Sequence, residues 1–168
     1  LQHKLKREVK VGAANVREPG VAVLRDVHVA NGKTLREGEL VAARKVIVRY
    51  DWRALIFAGK GANSVSEILI FDPNVLVIRR RDGAFNVAEL LKFPPGPKRP
   101  PFMGKVKIID GKAVFYDHAV RPNMKTSPVH ISDLSGTLDA AKYPIYEFKV
   151  AARGAKNEFG IARAHGRY

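Results

Sequence analysis

The sequence predicts a mostly antiparallel β protein with one or two short helices. Of its 168 residues, 46% are hydrophobic, many of them β-branched, and 14 are glycine. Short runs that alternate apolar and polar residues recur along the chain, and most end in a Gly, Asn or Asp turn signal, as expected for a meandering sheet. Helical patterns are few and short, so strands are expected to form the core.

Charge and length limit the classes of function. Lys and Arg number 30 against 16 Asp and Glu, which gives a formal net charge of +14. This predicts attraction to anionic surfaces, either nucleic acid or acidic lipid headgroups. No run approaches the roughly 20 apolar residues that a membrane-spanning helix needs. The chain begins without an initiator methionine or a signal peptide, so we expect a section of a longer protein whose membrane anchor, if any, lies elsewhere.

Two strand passages come first. Residues 20–29 carry valines at one parity, with a disturbance at residues 24–26, and one buried face explains that parity. Residues 40–50 form the second passage, with Val46 and Val48 on one face. Asp51 can then cap a single helical turn over residues 51–56.

Residues 68–79 are expected to form a strand, a kink and a second strand. The apolar runs 68–71 and 75–78 flank Asp72, Pro73 and Asn74, and Pro73 lacks an N–H and fixes its φ angle. Both parities of each run are apolar, which indicates strands covered on both faces.

A turn and a short capping helix are expected next. Three arginines, residues 79–81, precede the dipeptide Asp82-Gly83, which suits a tight turn. The predicted helix, residues 86–92, is expected to close an end or corner of the sheet. Asn86 is its predicted N-cap, Glu89 reaches back to the N–H of that cap, and Leu90 and Leu91 are apolar positions of the helix.

The second half of the chain repeats the strand pattern. Residues 93–101 hold five of the ten prolines and are expected to form a stiff connector. Beyond it, Asp110-Gly111 is expected to turn a hairpin between Val106-Ile108 and residues 113–117. Residues 130–138, 143–153 and 158–165 supply further strands.

Catalytic and metal sites are not expected. The five histidines are scattered without an i,i+4 pair, and there is no cysteine, so a zinc site is unfavoured and no cofactor is predicted. Ser132-Asp133 near His130, and Asp117-His118, lack a nucleophile elbow and an oxyanion turn. We therefore expect a protein that is not an enzyme.

The order of these features resembles the AsmA-like family. The resemblance rests on the succession VAVLRDVHVANG, RYDWRALIFAGKG, ILIFDPNVLVIRRRDGAFNVAELL, a proline-rich break, PFMGKVKIIDGKAVFYD and ISDLSGTLDA. It covers nearly the whole chain, and the order of the pieces carries it, since each alone is ordinary β-turn chemistry.

This resemblance implies a curved antiparallel sheet that forms an open, apolar-lined trough. Residues 1–92 would be an N-terminal β segment that ends in the capping helix, 93–101 the proline-rich connector, and 102–168 a continuing β-meander of the same sheet. The implied protein lies in the periplasm of a diderm bacterium, anchored in the inner membrane by an upstream helix. It is thought to conduct phospholipid towards the outer membrane, where an absent C-terminal domain would meet a barrel partner.

The trough would be lined by apolar side chains of the strands, which would hold phospholipid acyl chains. The predicted lining residues are Val21, Val23, Val27, Val29, Val46, Val48, Ile68, Ile70, Val75, Val77, Val106, Ile108, Phe148 and Val150.

Three other interpretations stay open. Alternating apolar strands are most often an ordinary sandwich core. The charge, together with Phe85, Phe93, Phe102 and Tyr116 near cations, permits a nucleic-acid-binding β domain. A purely structural envelope scaffold would have the same sequence pattern. The three arginines at 79–81 could bind phosphate groups, but a solvated strand end is the favoured interpretation.

Overall fold

The protein is mainly β, as the sequence predicts, and its strands form one open sheet. The structure, a computed structural model, describes residues 7–57, 64–87, 102–119, 127–142, 145–154 and 161–167. The strands are β1 (Val9–Glu18), β2 (Val21–Ala30), β3 (Glu39–Tyr50), β4 (Val65–Arg79), β5 (Lys105–Asp117), β6 (Val129–Lys142), β7 (Ile145–Gly154) and β8 (Ile161–Arg167).

The eight strands lie side by side in the order of the chain. All neighbours pair antiparallel except β4 and β5, which are parallel. The sheet is therefore mostly antiparallel, as predicted, with one parallel pair that the sequence analysis did not anticipate. Two parallel strands cannot be joined by a tight turn. Residues 80–104 must therefore lead from the C-terminal end of β4 back to the N-terminal end of β5, which lies beside the start of β4.

Two short helical elements accompany the sheet in the described part of the chain. A 3-10 turn, Leu35–Glu37, lies between β2 and β3, and helix α1, Trp52–Phe57, follows β3. Asp51 caps α1 as predicted, because its Oδ1 accepts hydrogen bonds from the backbone N–H groups of Arg53 and Ala54 at 2.9 and 3.0 Å.

Four aspartates interrupt the strands from within. Asp26, Asp72, Asp110 and Asp133 have φ angles of 51°, 48°, 56° and 51°, in the left-handed region that Asp tolerates better than most side chains. They lie inside β2, β4, β5 and β6 respectively. We call these four residues the aspartate line.

The aspartate line changes two sequence-based expectations. The hairpin predicted at Asp110-Gly111 is wrong, since β5 runs unbroken from Lys105 to Asp117 and pairs with β4 on both sides of that dipeptide. The predicted kink at Asp72-Pro73 is present as a local positive φ, but β4 continues through it as one strand of 15 residues.

One end of the sheet is tied together by buried polar groups. Asn86 is 2% exposed, its Oδ1 accepts from the Ile78 N–H at 2.8 Å, and its Nδ2 donates to the Leu76 carbonyl and to Asn31 Oδ1 at 2.9 Å each. The buried guanidinium of Arg7 donates to the Asn31 carbonyl. These bonds join the chain before β1, the loop after β2 and the turn after β4.

The fully buried core is small. In the part of the chain that the structure describes, no second sheet packs across either face of the first. The buried hydrophobic residues are mostly small side chains within the sheet, namely Val23, Ala30, Leu40, Ala43, Val46, Ala113 and Ala140. A single layer leaves apolar side chains partly accessible, although a stable domain usually covers such a face with a second layer.

Candidate functional site

The pairing register sorts the side chains of the sheet into rows that run across the strands. Residues directly opposite each other on neighbouring strands point to the same side. Following such partners from strand to strand therefore shows which residues share a face.

Two neighbouring rows are apolar across all eight strands. We call them the first wall. One row is Val16, Ala22, Val48, Ile68, Val106, Leu138, Phe148 and Gly166, and the other is Ala14, Leu24, Val46, Ile70, Ile108, Gly136, Val150 and Ala164.

Further apolar rows lie on the other side of the aspartate line. We call them the second wall. The longest row is Val9, Val29, Val41, Val75, Ala113, Ile131 and Gly154, and shorter rows are Val11, Val27, Ala43 and Pro73, and Val77, Phe115 and Val129.

The two walls lie at opposite parity along each of the strands β1 to β6. In β4, for example, Ile68 and Ile70 belong to the first wall, whereas Val75 and Val77 belong to the second. An uninterrupted strand would place these pairs on opposite faces. Asp72, with its positive φ, lies between them, and the other three aspartates divide β2, β5 and β6 in the same way.

The surroundings of Gly111 place the two walls on one side of the sheet. A Cβ atom on Gly111 would lie 3.0 Å from Pro73 Cγ and 3.2 Å from Ile108 Cγ2. Pro73 belongs to the second wall and Ile108 to the first, so both side chains reach the same point. The alternation is thus reversed at the aspartate line where β4 and β5 meet, and we infer from this contact that the two walls form one continuous apolar face.

Exposure along the apolar face rises towards its two ends. Val46, in the middle of the first wall, is 8% exposed, whereas Val16 on β1 is 61% exposed and Phe148 and Val150 on β7 are 36% and 39% exposed. Such a face can take up apolar material without a specific pocket, because burial of apolar surface is favourable wherever it occurs.

The structure brings together nearly all of the predicted lining residues. Each of them belongs to one of the two walls except Val21 and Val23. Those two valines pair instead with Arg49 and Ile47, in rows that continue into charged residues on β5 to β7. They lie on the opposite face because the alternation of β2 reverses at Asp26.

Sequence reasoning missed several residues of the apolar face. Leu24 and Leu138 were left out although they align with Val46 and Val106. In β2, the apolar-face residues Ala22 and Leu24 have even numbers before Asp26, whereas Val27 and Val29 have odd numbers after it. This change of parity is the signal that could have identified the missing residues.

The face opposite the walls, which we call the polar face, carries a ladder of charges near the strand ends. The row with most of these charges is Glu18, Val21, Arg49, Glu67, Lys105, Asp139, Glu147 and Arg167. Ion pairs link it along and across the strands: Arg49–Glu67 at 3.4 Å, Lys107–Glu67 at 2.8 Å, Lys105–Asp139 at 3.1 Å and Arg167–Glu147 at 3.2 Å.

Glu67 is the centre of this ladder. The hydrogen bond from Lys107 lowers the pKa of Glu67, partial burial opposes that effect, and the charges of Lys107, Arg49 and Lys105 lower it further. Glu67 is therefore ionised at neutral pH. Nearer the aspartate line, Lys45 Nζ lies 4.1 Å from the centre of the Phe71 ring, a cation–π contact on the same polar face.

The predicted turn after β4 is confirmed. The Gly83 N–H donates to the Arg80 carbonyl at 2.9 Å, and Gly83 has a φ of 82°. Arg79 pairs with Asp117 at 3.3 Å, while the backbone of Arg81 lies in the turn at the strand end.

The predicted capping helix lies largely outside the described residues. Glu89, Leu90 and Leu91 are among those outside, as is the proline-rich segment 93–101. Asn86, the predicted N-cap, and Val87 are described as a turn. The Asn86 side chain binds the edge of β4 and the loop after β2.

The residues considered for catalysis have structural partners. Ser132 Oγ donates to the Arg153 carbonyl at 3.4 Å, and Asp133 lies 3.6 Å from the Arg153 guanidinium. Asp117 accepts from the Ala119 N–H at 2.9 Å. Among the described residues, no group of three or more His, Cys, Asp or Glu is placed to hold a metal ion.

Comparisons with known proteins assign no family. None of the described helices is long and apolar enough to cross a membrane. A scan against protein-family models finds no match, and a search of curated proteins finds no significant relative.

Proposed function

We propose that this chain is a section of a TamB/AsmA-like envelope protein that conducts phospholipids between the inner and outer membranes. The apolar face would hold the acyl chains, and the two rows of the first wall, which cross all eight strands, would set the direction of movement. The protein would lie in the periplasm and contribute to outer-membrane biogenesis. The proposal includes no catalytic step.

The continuity of the apolar face is the observation that supports this proposal. Both rows of the first wall extend from β1 to β8 without a polar residue. A lipid that slides along such rows meets Val, Ile, Leu, Ala, Gly and Phe side chains only, so no position binds it much more tightly than the next. Each buried CH2 group contributes about 0.8 kcal/mol.

The aspartate line supports a trough rather than a flat platform. Four left-handed residues, one in each of four strands, lie on a line parallel to the rows. The two walls would then face each other across this line, with water on the polar face. Headgroups would remain at the open rim.

The proposal is tested by asking what the purified chain carries. We expect native mass spectrometry and solvent extraction of protein from a diderm host to recover phospholipid at a fixed ratio to protein. The matched control is a variant with Ile70→Lys and Ile108→Lys, which places two cations in one row of the first wall; it should carry much less lipid. Wild-type protein that carries no phospholipid would overturn the proposal.

Nucleic-acid binding is the second candidate, and the net charge of +14 favours it. Two of the aromatic residues that suggested it are stacked on neighbours: Phe85 on Phe115 at 6.4 Å, and Tyr116 on His118 at 6.3 Å between ring centroids. A gel shift with single- and double-stranded DNA over a salt series tests it, since tight binding with a steep salt slope would support it. A protein that carries no lipid and binds no nucleic acid would favour the structural scaffold.

A further inference from the structure

We propose that this chain assembles head to tail with further copies of itself, through pairing of β8 of one copy with β1 of the next. In the part of the chain that the structure describes, β1 and β8 each pair with a single strand. The outer edge of each strand can therefore accept an added strand through its backbone N–H and C=O groups. The partner is a second copy of this chain, and the assembly does not depend on the proposed function.

Both outer edges are accessible. In β1, residues 12–18 are all exposed, and in β8 every residue except the half-buried Gly166 is exposed. Val16 and Ile161, one on each of these strands, are among the most exposed large hydrophobic residues of the described chain. A strand added at either edge would remove apolar surface from water, and this favours its addition.

The register of the sheet determines which residues would meet at the junction. Four rows that cross all eight strands begin on β1 at residues 14, 15, 16 and 18 and end on β8 at residues 164, 165, 166 and 167, in that order. The two edge strands therefore run in the same direction, and they would pair in parallel, as β4 and β5 do within the sheet. If each row continues into the next copy, apolar residues meet apolar residues and polar residues meet polar ones.

The charges at the two edges complement each other in this register. Arg167 would lie directly beside Glu18 of the next copy. Among the described residues, Glu18 is in no ion pair, whereas Arg167 pairs with Glu147 at 3.2 Å. The ladder of the polar face would thus gain one more carboxylate at the junction, and opposite charges on neighbouring strands stabilise their pairing.

The first wall would continue across the same junction. Gly166 would lie beside Val16 of the next copy, and Ala164 beside Ala14. A Cβ atom on Gly166 would be 2.7 Å from the Phe148 ring, so this ring lies over the glycine and extends from β7 towards the outer edge of β8. An aromatic ring that covers a glycine in this way fills its empty position, and here it would also contact the Val16 side chain of the next copy.

Pairing of like edges fits less well. Two β8 strands related by a two-fold axis run antiparallel, and if they are centred on His165 they place Arg163 beside Arg167 of the other copy. Like charges directly opposite each other destabilise strand pairing. A dimer through β1 would leave both β8 edges without a partner. Only the head-to-tail arrangement gives each edge a partner, and such an interface does not close, so it adds copies in series.

Disulfide trapping between copies tests the register, because the chain has no cysteine of its own. Asn15→Cys and His165→Cys are introduced into separate copies, which are mixed and oxidised. In the proposed junction the two thiols lie on the polar face of neighbouring strands about 4.8 Å apart, within the Cα separation that a disulfide spans. We expect a linked dimer in the mixture. Either variant alone should give at least about five-fold less, as should Asn15→Cys mixed with Ala164→Cys, whose thiol lies on the opposite face.

Analytical ultracentrifugation of the unmodified chain measures the assembly itself. We expect dimers and larger species that increase with protein concentration, as a weak interface of small area gives. Glu18→Lys places a cation beside Arg167 of the next copy and should weaken association about five-fold or more. Glu39→Lys makes the same change at an exposed residue of β3, inside the sheet, and should leave association unchanged.

A chain that stays monomeric at every concentration would overturn the inference, as would equal effects of Glu18→Lys and Glu39→Lys. Linked dimers of Asn15→Cys alone, at the yield of the mixture, would show pairing of two β1 strands and would also overturn it. If Glu18→Lys fails to fold, the cysteine variants, which change only exposed residues, decide the question. Failure to assemble leaves the proposed function standing, because none of these measurements depends on lipid.

Discussion

Replacing Asp110 by valine is expected to destabilise the sheet although valine is a better strand former. Asp110 has a φ of 56°, and the left-handed region costs an ordinary L-residue roughly 1–2 kcal/mol, with β-branched side chains the least tolerated. We therefore expect Asp110→Val to lower the free energy of unfolding by about 1–2 kcal/mol. For a chain of this length each kcal/mol lowers Tm by roughly 2–4 °C.

Two matched variants isolate the backbone effect. Asp110→Asn keeps a residue that tolerates positive φ, and its free energy of unfolding should stay within about 0.5 kcal/mol of wild type. Lys112→Val makes a similar change at an exposed residue of the same strand that has no positive φ, so strand propensity alone should make it neutral or slightly stabilising.

Urea unfolding followed by circular dichroism measures all three variants. If Asp110→Val is as stable as Lys112→Val, residue 110 is not held in the left-handed region. The reasoning that the aspartate line reverses the strand alternation would then be refuted.

Three other changes test the packing and charges of the sheet. Asn86→Ala should cost about 2–4 kcal/mol in urea unfolding, because it leaves three partly buried hydrogen-bonding groups without their partner. The change Asn74→Ala at an exposed residue should cost under about 0.5 kcal/mol, and equal costs would contradict the role of Asn86 in joining this end of the sheet. Gly166→Ala should destabilise the wild type by about 1 kcal/mol, since the new Cβ would lie 2.7 Å from the Phe148 ring. The same change should cost less in a Phe148→Ala background. Additive effects of the two changes would show that residue 166 does not contact the Phe148 ring. The pKa of Glu67 is lowered in the folded state, so the stabilising contribution of its carboxylate is present at neutral pH and is lost as pH falls below about 4.5. In urea unfolding, the Glu67→Gln variant should therefore lose less stability than wild type between pH 7 and pH 3. Equal losses in the two proteins would contradict a lowered pKa of Glu67.

Local signals were enough to predict most strands and turns. The alternating valines of β2, the Asp51 cap of α1 and the Asp82-Gly83 turn each depend on a few neighbouring residues. Such features follow from backbone preferences and short-range hydrogen bonds, which a sequence shows directly.

The Asp110-Gly111 hairpin shows where local signals fail. An Asp-Gly dipeptide between two alternating runs is a strong hairpin signal, but the same residues also suit a left-handed interruption within one strand. What separates the two cases is the pairing of Lys105–Asp117 with β4 on both sides of the dipeptide, and pairing between distant segments is not visible locally.

The parallel pairing of β4 and β5 could not be predicted for the same reason. A proline-rich segment between two strands fits either a return beside the first strand or a crossover to its far end. The choice depends on which strand edges meet in the folded sheet.

The division of the apolar face into two walls had a signal in the sequence. In β4, Ile68 and Ile70 precede Asp72, and Val75 and Val77 follow it at the other parity. β2 and β5 change parity at their own aspartates in the same way. A comparison of the parity of the apolar residues before and after the aspartate in each of the four strands would have placed Val21 and Val23 on the polar face.

Paired photo-crosslinking within β4 tests the central claim most directly. A photoreactive amino acid is placed at Ile70 on the first wall and at Val77 on the second, and at the chain neighbours Leu69 and Leu76, which lie on the opposite face of the same strand. In cells that make labelled phospholipid, the proposed trough predicts lipid adducts at 70 and 77 and few at 69 and 76. Equal labelling of neighbours, or labelling of one wall only, would contradict a single apolar face that binds lipid across the aspartate line.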